Sequence, residues 1–345
     1  MEGKGLVTGL VLVMCGGVME GAYSLPLKFT PKWNWENTWG IGSLAALVLV
    51  PWTLASCTVP ALLDVYRHVS TTAITWALIF GAAWGLGGVL LGLSIDMVGM
   101  SIGFSIILGI IAIDGSLIPL LLNNASKLFT RGGLWFLAAM AVLVLGIACC
   151  AVAGRRKEMA FAVEPRKTKK MRPFRLGLLL CIVSGLLCGC VNFALVFGTE
   201  VTHRAIEFGA RPIFAANALW SLVFTANYLV NVGYCGYLVG RNGSAEKFFA
   251  KGTGGYWLQT IVMGIIWAAG IVVYGIGAYK MGEYGAFIGF PVMLATSILT
   301  ANALGWLTGE WKGVPMRVSR IMLTGVGLLM LSISLLANAD RLIAN

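Results

Sequence analysis

Ten long apolar blocks, separated by short polar segments, dominate this sequence of 345 residues. Each block has about 20 residues or more, which is the length that a helix needs to cross the hydrocarbon core of a bilayer. Only 11% of the residues are charged, whereas soluble domains carry roughly 25%, so too little polar surface is available to cover these blocks. The blocks are continuously apolar, unlike the alternating strands of a membrane β-barrel. The sequence therefore predicts an all-α polytopic membrane protein with ten transmembrane helices, at residues 6–27, 39–58, 72–93, 98–120, 133–153, 176–197, 213–236, 257–279, 284–306 and 318–337.

The net charge of +11 is concentrated in one segment. Residues 154–175, between the fifth and sixth blocks, hold nine Lys or Arg and two Glu. If this loop is cytoplasmic, 17 of the 25 Lys and Arg lie inside and eight outside, as the positive-inside rule requires. We therefore predict that both termini are periplasmic or extracellular, and that the basic balance reflects orientation rather than nucleic-acid binding. A role for the loop in binding lipid headgroups or a partner stays open.

The basic loop divides the blocks into two groups of five, which predicts a first repeat at 1–153, a linker at 154–175 and a second repeat at 176–345. Because five is odd, a duplicated half would enter the membrane in the opposite orientation, as in many transporters. Residues 9–29 and 177–197 match at seven of 21 positions with a constant offset of 168. The matches include the GxxxG pair Gly17 and Gly21 and its counterpart Gly185 and Gly189, a spacing that lets helices pack closely in lipid. We expect a 5+5 inverted repeat.

Two acidic residues, Glu20 and Asp114, lie inside apolar blocks. An ionisable group at depth is costly and by default indicates a functional site, so both are candidates for proton coupling. The structural alternative is a protonated acid that hydrogen-bonds to a neighbouring helix. With the termini outside, Glu20 falls in the inner half of its helix and Asp114 in the outer half of its own. Glu20 is the stronger candidate, because its helical face carries small or hydrogen-bonding residues, namely Gly16, Gly17, Tyr23 and Ser24.

Uncharged polar and aromatic side chains within the blocks could bind a neutral, hydroxyl-rich ligand. Amides and hydroxyls give directional hydrogen bonds, and aromatic rings cover the C–H faces of such a ligand. The alternative for each residue is an interhelical hydrogen bond or ordinary packing. The candidate substrate-binding residues are Tyr23, Trp84, Asn192, Asn217, Ser221, Tyr228 and Tyr274, with Trp267 as a further aromatic group. Trp33, Trp35 and Trp39, near Lys28 and Lys32, are instead typical of membrane-interface anchors.

No motif of a soluble catalytic machine is present. The sequence has no P-loop, HExxH or GxSxG, and its eight cysteines and two histidines have no zinc-site spacing. We therefore expect no enzymatic activity, no catalytic residue, no metal and no cofactor. An intramembrane enzyme and a passive channel are the alternatives outside the transporter class.

Residues 21–52 and 80–105 resemble the L-rhamnose–proton symporter family, which belongs to the drug/metabolite transporter superfamily. The resemblance is carried by Lys-x-Trp-x-Trp-Glu at 32–36, Pro51-Trp52, Phe-Gly-x-x-Trp-Gly at 80–85, Gly99-Met100-Ser101 and Glu310-Trp311. It implies a 5+5 inverted-repeat fold in a bacterial inner membrane, and uptake of L-rhamnose or a related deoxyhexose by alternating access, driven by protons. Export or exchange of another small polar metabolite, sodium in place of the proton, and a monomer or a homodimer remain open.

Overall fold

The computed structural model describes residues 2–161, 174–282 and 284–343, and within these ranges the chain is helical with no strand. The helices are α1 Glu2–Ala22, α2 Trp35–Leu44, α3 Val50–Thr58, α4 Leu62–His68, α5 Thr71–Val98, α6 Met100–Asn124, α7 Arg131–Phe161, α8 Phe174–Phe197, α9 Thr199–Glu207, α10 Pro212–Ala215, α11 Asn217–Asn242, α12 Gly254–Lys280, α13 Phe290–Leu307 and α14 Met316–Ile343. Short 3₁₀ segments follow α1, α6 and α11, and π-helical turns precede α3 and α13. The prediction of an all-α membrane protein is confirmed.

Nine helical segments of the described chain are long and apolar enough to cross a membrane. They are Gly5–Phe29, Trp35–Thr58, Thr71–Ile95, Arg131–Phe161, Phe174–Glu207, Pro212–Asn242, Gly254–Lys280, Phe287–Leu307 and Met316–Asn338. The predicted fourth block corresponds to α6, whose apolar part Ser105–Leu117 is shorter. The whole of α6 has 25 residues and is therefore about 37 Å long. The count of ten spans stays a prediction that depends on α6.

The basic segment begins inside a helix. The fifth block was predicted to end at residue 153, but α7 continues to Phe161. Lys157 on this extension forms an ion pair with Glu310, with Nζ 2.9 Å from Oε2, and Lys157 Nζ lies 5.1 Å from the centre of the Trp311 ring. Residues 162–173 of the predicted linker lie outside the described part of the chain, so its cytoplasmic assignment stays a prediction.

The chain forms two compact units whose segments alternate along the sequence. The first unit comprises Met1–Ala22, Leu90–Leu186 and Val272–Asn345, and the second comprises Tyr23–Val89 and Leu187–Ile271. These units do not follow the predicted repeat boundaries, since each one takes residues from both halves of the sequence. The assignment of 1–153 and 176–345 as repeats is therefore a statement about sequence symmetry and stays a prediction.

Glycines mark the helix contacts of the first unit. A Cβ atom at Gly17 or Gly21 of α1 would overlap the backbone of α13, at the carbonyl of Met293 or Ser297. Gly185 of α8 lies in the same way against a side chain of α6, that of Ile110. A fully buried core that includes Phe136 and Leu143 of α7, Phe287 of the π turn and Leu329 and Leu336 of α14 fills the rest of this unit.

The second unit is also assembled on glycines. The α5 helix meets α11 where Gly81 contacts Val223 and Gly85 contacts Asn227. The α12 helix meets α2 where a Cβ at Gly264 would overlap the Gly42 carbonyl. Close backbone approach at small residues is how helices pack in lipid, where burial of apolar surface gives little net attraction.

The glycine contacts occur as exchanged pairs. In the first unit, the first helix of each predicted repeat packs on the fourth helix of the other repeat, α1 on α13 and α8 on α6. In the second unit, the third helix of each repeat packs on the second helix of the other, α5 on α11 and α12 on α2. A twofold inverted repeat requires this reciprocity. The contacts are consistent with the predicted 5+5 repeat, which remains a prediction.

Both π turns end two residues before a proline. Ala45–Leu49 precedes Pro51 of α3, and Gly285–Gly289 precedes Pro291 of α13. Proline has no N–H to donate to the preceding turn and its ring crowds that turn, so a helix that continues past it must loosen its hydrogen bonding. The π turns let two spans continue through a proline in their interior.

Two glycines of α5 test whether close approach stabilises the second unit. Gly81→Ala would place a methyl group into the backbone of Val223, whereas a Cβ at Gly88 meets open space. We expect Gly81→Ala to lower stability by about 1–3 kcal/mol, as overpacking does, and to lower the melting temperature in detergent. Gly88→Ala, the matched control, should leave the melting temperature unchanged or raise it, because Ala favours helix over Gly. Equal melting temperatures for the two variants would contradict the assigned role of Gly81.

Candidate functional site

Glu20 lies on α1 beside Gly21, which approaches α13. Its Oε1 atom is buried and has no hydrogen-bond partner within the described residues. The nearby Gly21 lies against Ser297 and Thr300 of α13, whose hydroxyls donate to carbonyl oxygens of their own helix at 2.8 and 2.9 Å. Their protons are therefore already engaged, and the packing leaves one oxygen of the carboxyl group without a donor.

Asp114 lies on α6, which belongs to the same unit as α1. The residue next to it contacts α13 at a different height from the residue next to Glu20. Its neighbour Gly115 contacts the Phe290 ring, whereas Gly21 contacts Ser297. Seven residues separate Phe290 from Ser297, which corresponds to about 10 Å along the helix axis. The glycine neighbours of Glu20 and Asp114 thus contact α13 at two levels. The different depths of the two acids stay a prediction.

Three aromatic rings from three helices meet in the second unit. Trp84 of α5 lies 5.5 Å from Phe224 of α11 and 6.2 Å from Trp267 of α12, and the last two are 5.8 Å apart, as measured between ring centres. Trp220 stacks on Phe224 at 5.1 Å. Phe224 is buried, whereas the three tryptophans are only partly buried. A Cβ at Gly88, one turn from Trp84, would meet open space. The cluster therefore presents indole surface that is not fully covered by protein.

Three of the predicted polar ligand contacts lie on α11, the helix that carries Trp220 and Phe224. The amide nitrogen of Asn217 donates to Thr58 Oγ1 at 2.9 Å. Ser221 is fully buried, and its hydroxyl donates to the Ala218 carbonyl at 2.9 Å. Tyr228 is partly buried, and its hydroxyl has no hydrogen bond to the residues that the structure describes. Of these predicted ligand contacts, Tyr228 has a polar atom left to offer.

The other predicted site residues lie elsewhere. Tyr23 is the first residue of the second unit and directly follows α1. Tyr274 belongs to the first unit, where its ring meets Phe290 edge-on at 6.2 Å. The side chain of Asn192 lies outside the described part of the chain. Trp84, Asn217, Ser221 and Tyr228 thus share a unit, whereas Glu20, Asp114 and Tyr274 share the other.

Sequence reasoning assigned no role to Glu36, which lies at the centre of a buried polar cluster. Its Oε1 atom accepts hydrogen bonds from Asn34 Nδ2 at 2.9 Å, Asn242 Nδ2 at 2.9 Å and Ser244 Oγ at 2.8 Å. Asn37 Nδ2 donates to the Ser244 carbonyl at 2.9 Å. Glu36 is only 4% exposed. The cluster ties the start of α2 to the end of α11, which is a structural role.

Trp33 also packs against the segment that follows α11, so the prediction that Trp33 is an interface anchor is wrong. It is 6% exposed, and its ring lies edge-on against Phe248, Tyr256 and Trp257 at 5.4–5.7 Å. Its Nε1 donates to the Lys247 carbonyl at 2.9 Å. The segment after α11 covers the indole that an anchor would show to lipid. No local sequence pattern indicates this contact, because Trp33 and Lys247 are 214 residues apart.

Metal binding finds no support in the described residues, where no three His, Cys, Asp or Glu side chains come together as a metal site would require. The arrangement instead provides a lone buried carboxyl group in one unit and an aromatic, partly open surface in the other.

Comparison with known proteins links this arrangement to transport. Residues 3–340 match the family model described as L-rhamnose-proton symport protein. The chain is 24% identical over 327 residues to an L-rhamnose-proton symporter of Klebsiella pneumoniae subsp. pneumoniae, which covers 93% of this chain and 94% of that one. It is 25% identical over 314 residues to L-rhamnose-proton symporters of Yersinia pestis and Yersinia pseudotuberculosis, which covers 89% of this chain and 90% of each relative.

The Glu36 cluster can be tested by removing its central acceptor. Glu36→Ala would leave the buried Ser244 hydroxyl and the amide nitrogens of Asn34 and Asn242 without this acceptor, and hydrogen bonds to a charged group contribute about 1.5–3 kcal/mol. We expect a lower melting temperature and a lower yield of monodisperse protein in detergent. Glu246→Ala is the matched control, because Glu246 lies in the adjoining segment and is exposed. An unchanged melting temperature of the Glu36 variant would refute the structural role of the Glu36 cluster.

Proposed function

The chain belongs to the L-rhamnose-proton symport protein family, and on that basis we propose that it takes up L-rhamnose, or a related deoxyhexose, together with a proton. The observation that carries this proposal is similarity along about nine tenths of the chain to transporters of that name. Secondary transport fits a helical chain without an ATP-binding motif. Alternating access would expose the sugar site to each side of the membrane in turn.

Glu20 is the proposed proton-coupling residue. Its buried Oε1 lacks a donor among the described residues, and a buried carboxylate without hydrogen bonds is costly until it binds a cation. A proton meets that need without further ligands, whereas sodium is held by several oxygen atoms. Asp114, at the other level of α13, is the second candidate, and would exchange protons with the outer side.

The aromatic cluster of the second unit is the proposed sugar surface. Trp84, Trp220 and Trp267 are only partly covered, and indole faces pack well against the C–H faces of a sugar ring. Tyr228 has a hydroxyl group available for a hydrogen bond. Asn217 and Ser221 lie on the same helix, and Tyr23, Asn192 and Tyr274 remain further candidates from the sequence.

We place the protein in a bacterial inner membrane, since its named relatives are bacterial. The positive-inside rule supports periplasmic termini and a cytoplasmic segment 154–175. The partners in this proposal are the sugar, the proton and the lipid bilayer, and the protein would act as a monomer or a homodimer.

Uptake of radiolabelled L-rhamnose into proteoliposomes tests the coupling. With an acidic exterior, we expect the native protein to concentrate the sugar and a protonophore to abolish the accumulation. Glu20→Gln should still exchange labelled for unlabelled sugar but should no longer concentrate it, because it carries no exchangeable proton. Glu246→Gln, at an exposed acid, is the control.

Accumulation by Glu20→Gln would transfer the role to Asp114, which Asp114→Asn then tests. Transport of other solutes but not rhamnose, detected by counterflow, would favour an exporter or exchanger.

The aromatic surface has its own test in the substrate concentration at half-maximal uptake, KM. Trp267→Ala removes one wall of the ring cluster, and aromatic contacts of this kind contribute about 0.5–1.5 kcal/mol, equivalent to roughly a three- to tenfold rise in KM. Trp135→Ala is a matched control, because Trp135 is an exposed tryptophan on α7 in the other unit. An unchanged KM for Trp267→Ala would remove this cluster from the sugar site.

A further inference from the structure

Two side chains outside the proposed sugar surface are hydrogen-bonded to the helix that carries it. The Tyr66 hydroxyl of α4 lies 2.9 Å from the Ala218 carbonyl oxygen and 2.7 Å from Ser221 Oγ, and its one proton bonds to one of these acceptors at a time. Trp52 Nε1 of α3 donates to Thr225 Oγ1 at 2.8 Å. The two rings also touch each other edge-on, with centres 6.1 Å apart. Together they form one brace along the first two turns of α11.

The residues of α11 that contact Trp52 and Tyr66 are connected to each other by hydrogen bonds within α11. Thr225 Oγ1, which accepts the Trp52 bond, donates to the Ser221 carbonyl at 2.6 Å. Ser221 Oγ, beside the Tyr66 hydroxyl, donates to Ala218 O. Every polar atom of the brace on α11 is thus bonded to α11 backbone as well as to an outside side chain. The brace therefore acts on the helix backbone and not only on movable side chains.

The brace and the aromatic surface occupy different sides of α11. Each residue turns the helix by about 100°, so Ser221 and Thr225 share one side, and Trp220 and Phe224 face roughly a quarter turn away. Val223, which contacts Gly81 of α5, is two residues from both Ser221 and Thr225 and faces the opposite side. Contacts on two opposing sides fix the rotation of α11 about its axis, and this rotation decides where Trp220 and Phe224 point.

The chemistry of Tyr66 suits a permanent donor. Burial raises the pKa of Tyr66 to about 12, so its hydroxyl stays protonated over the pH range in which a proton-driven transporter works. Its bond to Ala218 O also lies outside the aromatic cluster, whose ring contacts involve Trp84, Phe224 and Trp267. Removing the hydroxyl deletes no ring of that cluster and changes only what holds α11.

We propose that Tyr66 and Trp52 are positioning residues for sugar binding, which set the rotation of α11 and so aim Trp220 and Phe224 at Trp84 and Trp267. The proposal rests on the proposed function insofar as the sugar lies on this aromatic surface. It assigns Ser221 and Thr225 a role in the brace, in addition to the predicted contact of Ser221 with the ligand. Neither Tyr66 nor Trp52 needs to touch the sugar.

Transport kinetics give the first test. Tyr66→Phe and Thr225→Val each remove a hydroxyl and keep the shape of the side chain, and Tyr237→Phe on the exposed part of α11 is the control. We expect KM to rise about three- to tenfold in each brace variant, as for loss of one net hydrogen bond, and further in the double variant. The maximal rate should stay close to its native value. An unchanged KM, or a maximal rate that falls in parallel with affinity, would overturn the proposal.

A second readout does not depend on the identity of the sugar. Protein labelled with 5-fluorotryptophan gives ¹⁹F resonances that single Trp→Phe variants at Trp220, Trp267 and Trp135 assign. Tyr66→Phe should shift the Trp220 resonance and leave that of Trp135 unchanged, whereas Tyr237→Phe should move neither. A Trp220 resonance that does not respond to Tyr66→Phe would overturn the positioning role. A shifted resonance in a protein that does not transport rhamnose would uphold the brace while the proposed substrate fails.

Discussion

The contact on which the rest of this structure depends is the close approach of helix backbones at glycine. In lipid, apolar surface gives helices little reason to associate, so attraction must come from dense packing and short polar contacts. Gly17 and Gly21 let α1 meet the α13 backbone, and Gly81 and Gly85 do the same for α5 and α11. With a larger side chain at these positions, the helices would separate by the width of a methyl group or more. Short interhelical hydrogen bonds add to this packing, such as the 2.8 Å bond from Trp39 Nε1 of α2 to Asn231 Oδ1 of α11.

The fold class could be predicted because it depends on a one-dimensional property. A block of about 20 apolar residues indicates a span whatever its neighbours are, and GxxxG spacing indicates a packing face. The partner of each face could not be predicted, because it depends on contacts between distant residues. Trp33 illustrates the difference. A tryptophan near lysines at the end of a span is typical of an interface anchor, yet here the segment that contains Phe248 and Trp257 covers the ring. No residue near Trp33 in the sequence indicates that this distant segment covers its ring.

The residues of the candidate site also fall into two groups, those that a local sequence pattern indicates and those that only contacts between distant residues reveal. Glu20 stands out because a charged residue interrupts an apolar block, and this signal is local. Trp84 and Trp267 were each visible as aromatic residues in spans, but their meeting at Phe224 joins three helices. Tyr66 gave no signal at all, since it lies in a short helix between two blocks and its partner Ser221 is 155 residues away. Periodicity identifies a face of a helix, whereas the rotation of that face is fixed by residues on other helices.

Glu20 and Glu36 show how the surroundings of a buried carboxyl group separate function from structure. Glu36 has three donors on one oxygen, so its charge is stabilised and the buried Ser244 hydroxyl would lose its acceptor without it. Within the described residues, Glu20 Oε1 has none, and the adjacent hydroxyls of α13 already donate elsewhere. A carboxyl group that must gain and lose a proton cannot be held in one form by its neighbours. A buried carboxyl oxygen without a donor adds little to the structure, and this observation supports the proposed role of Glu20 in proton coupling.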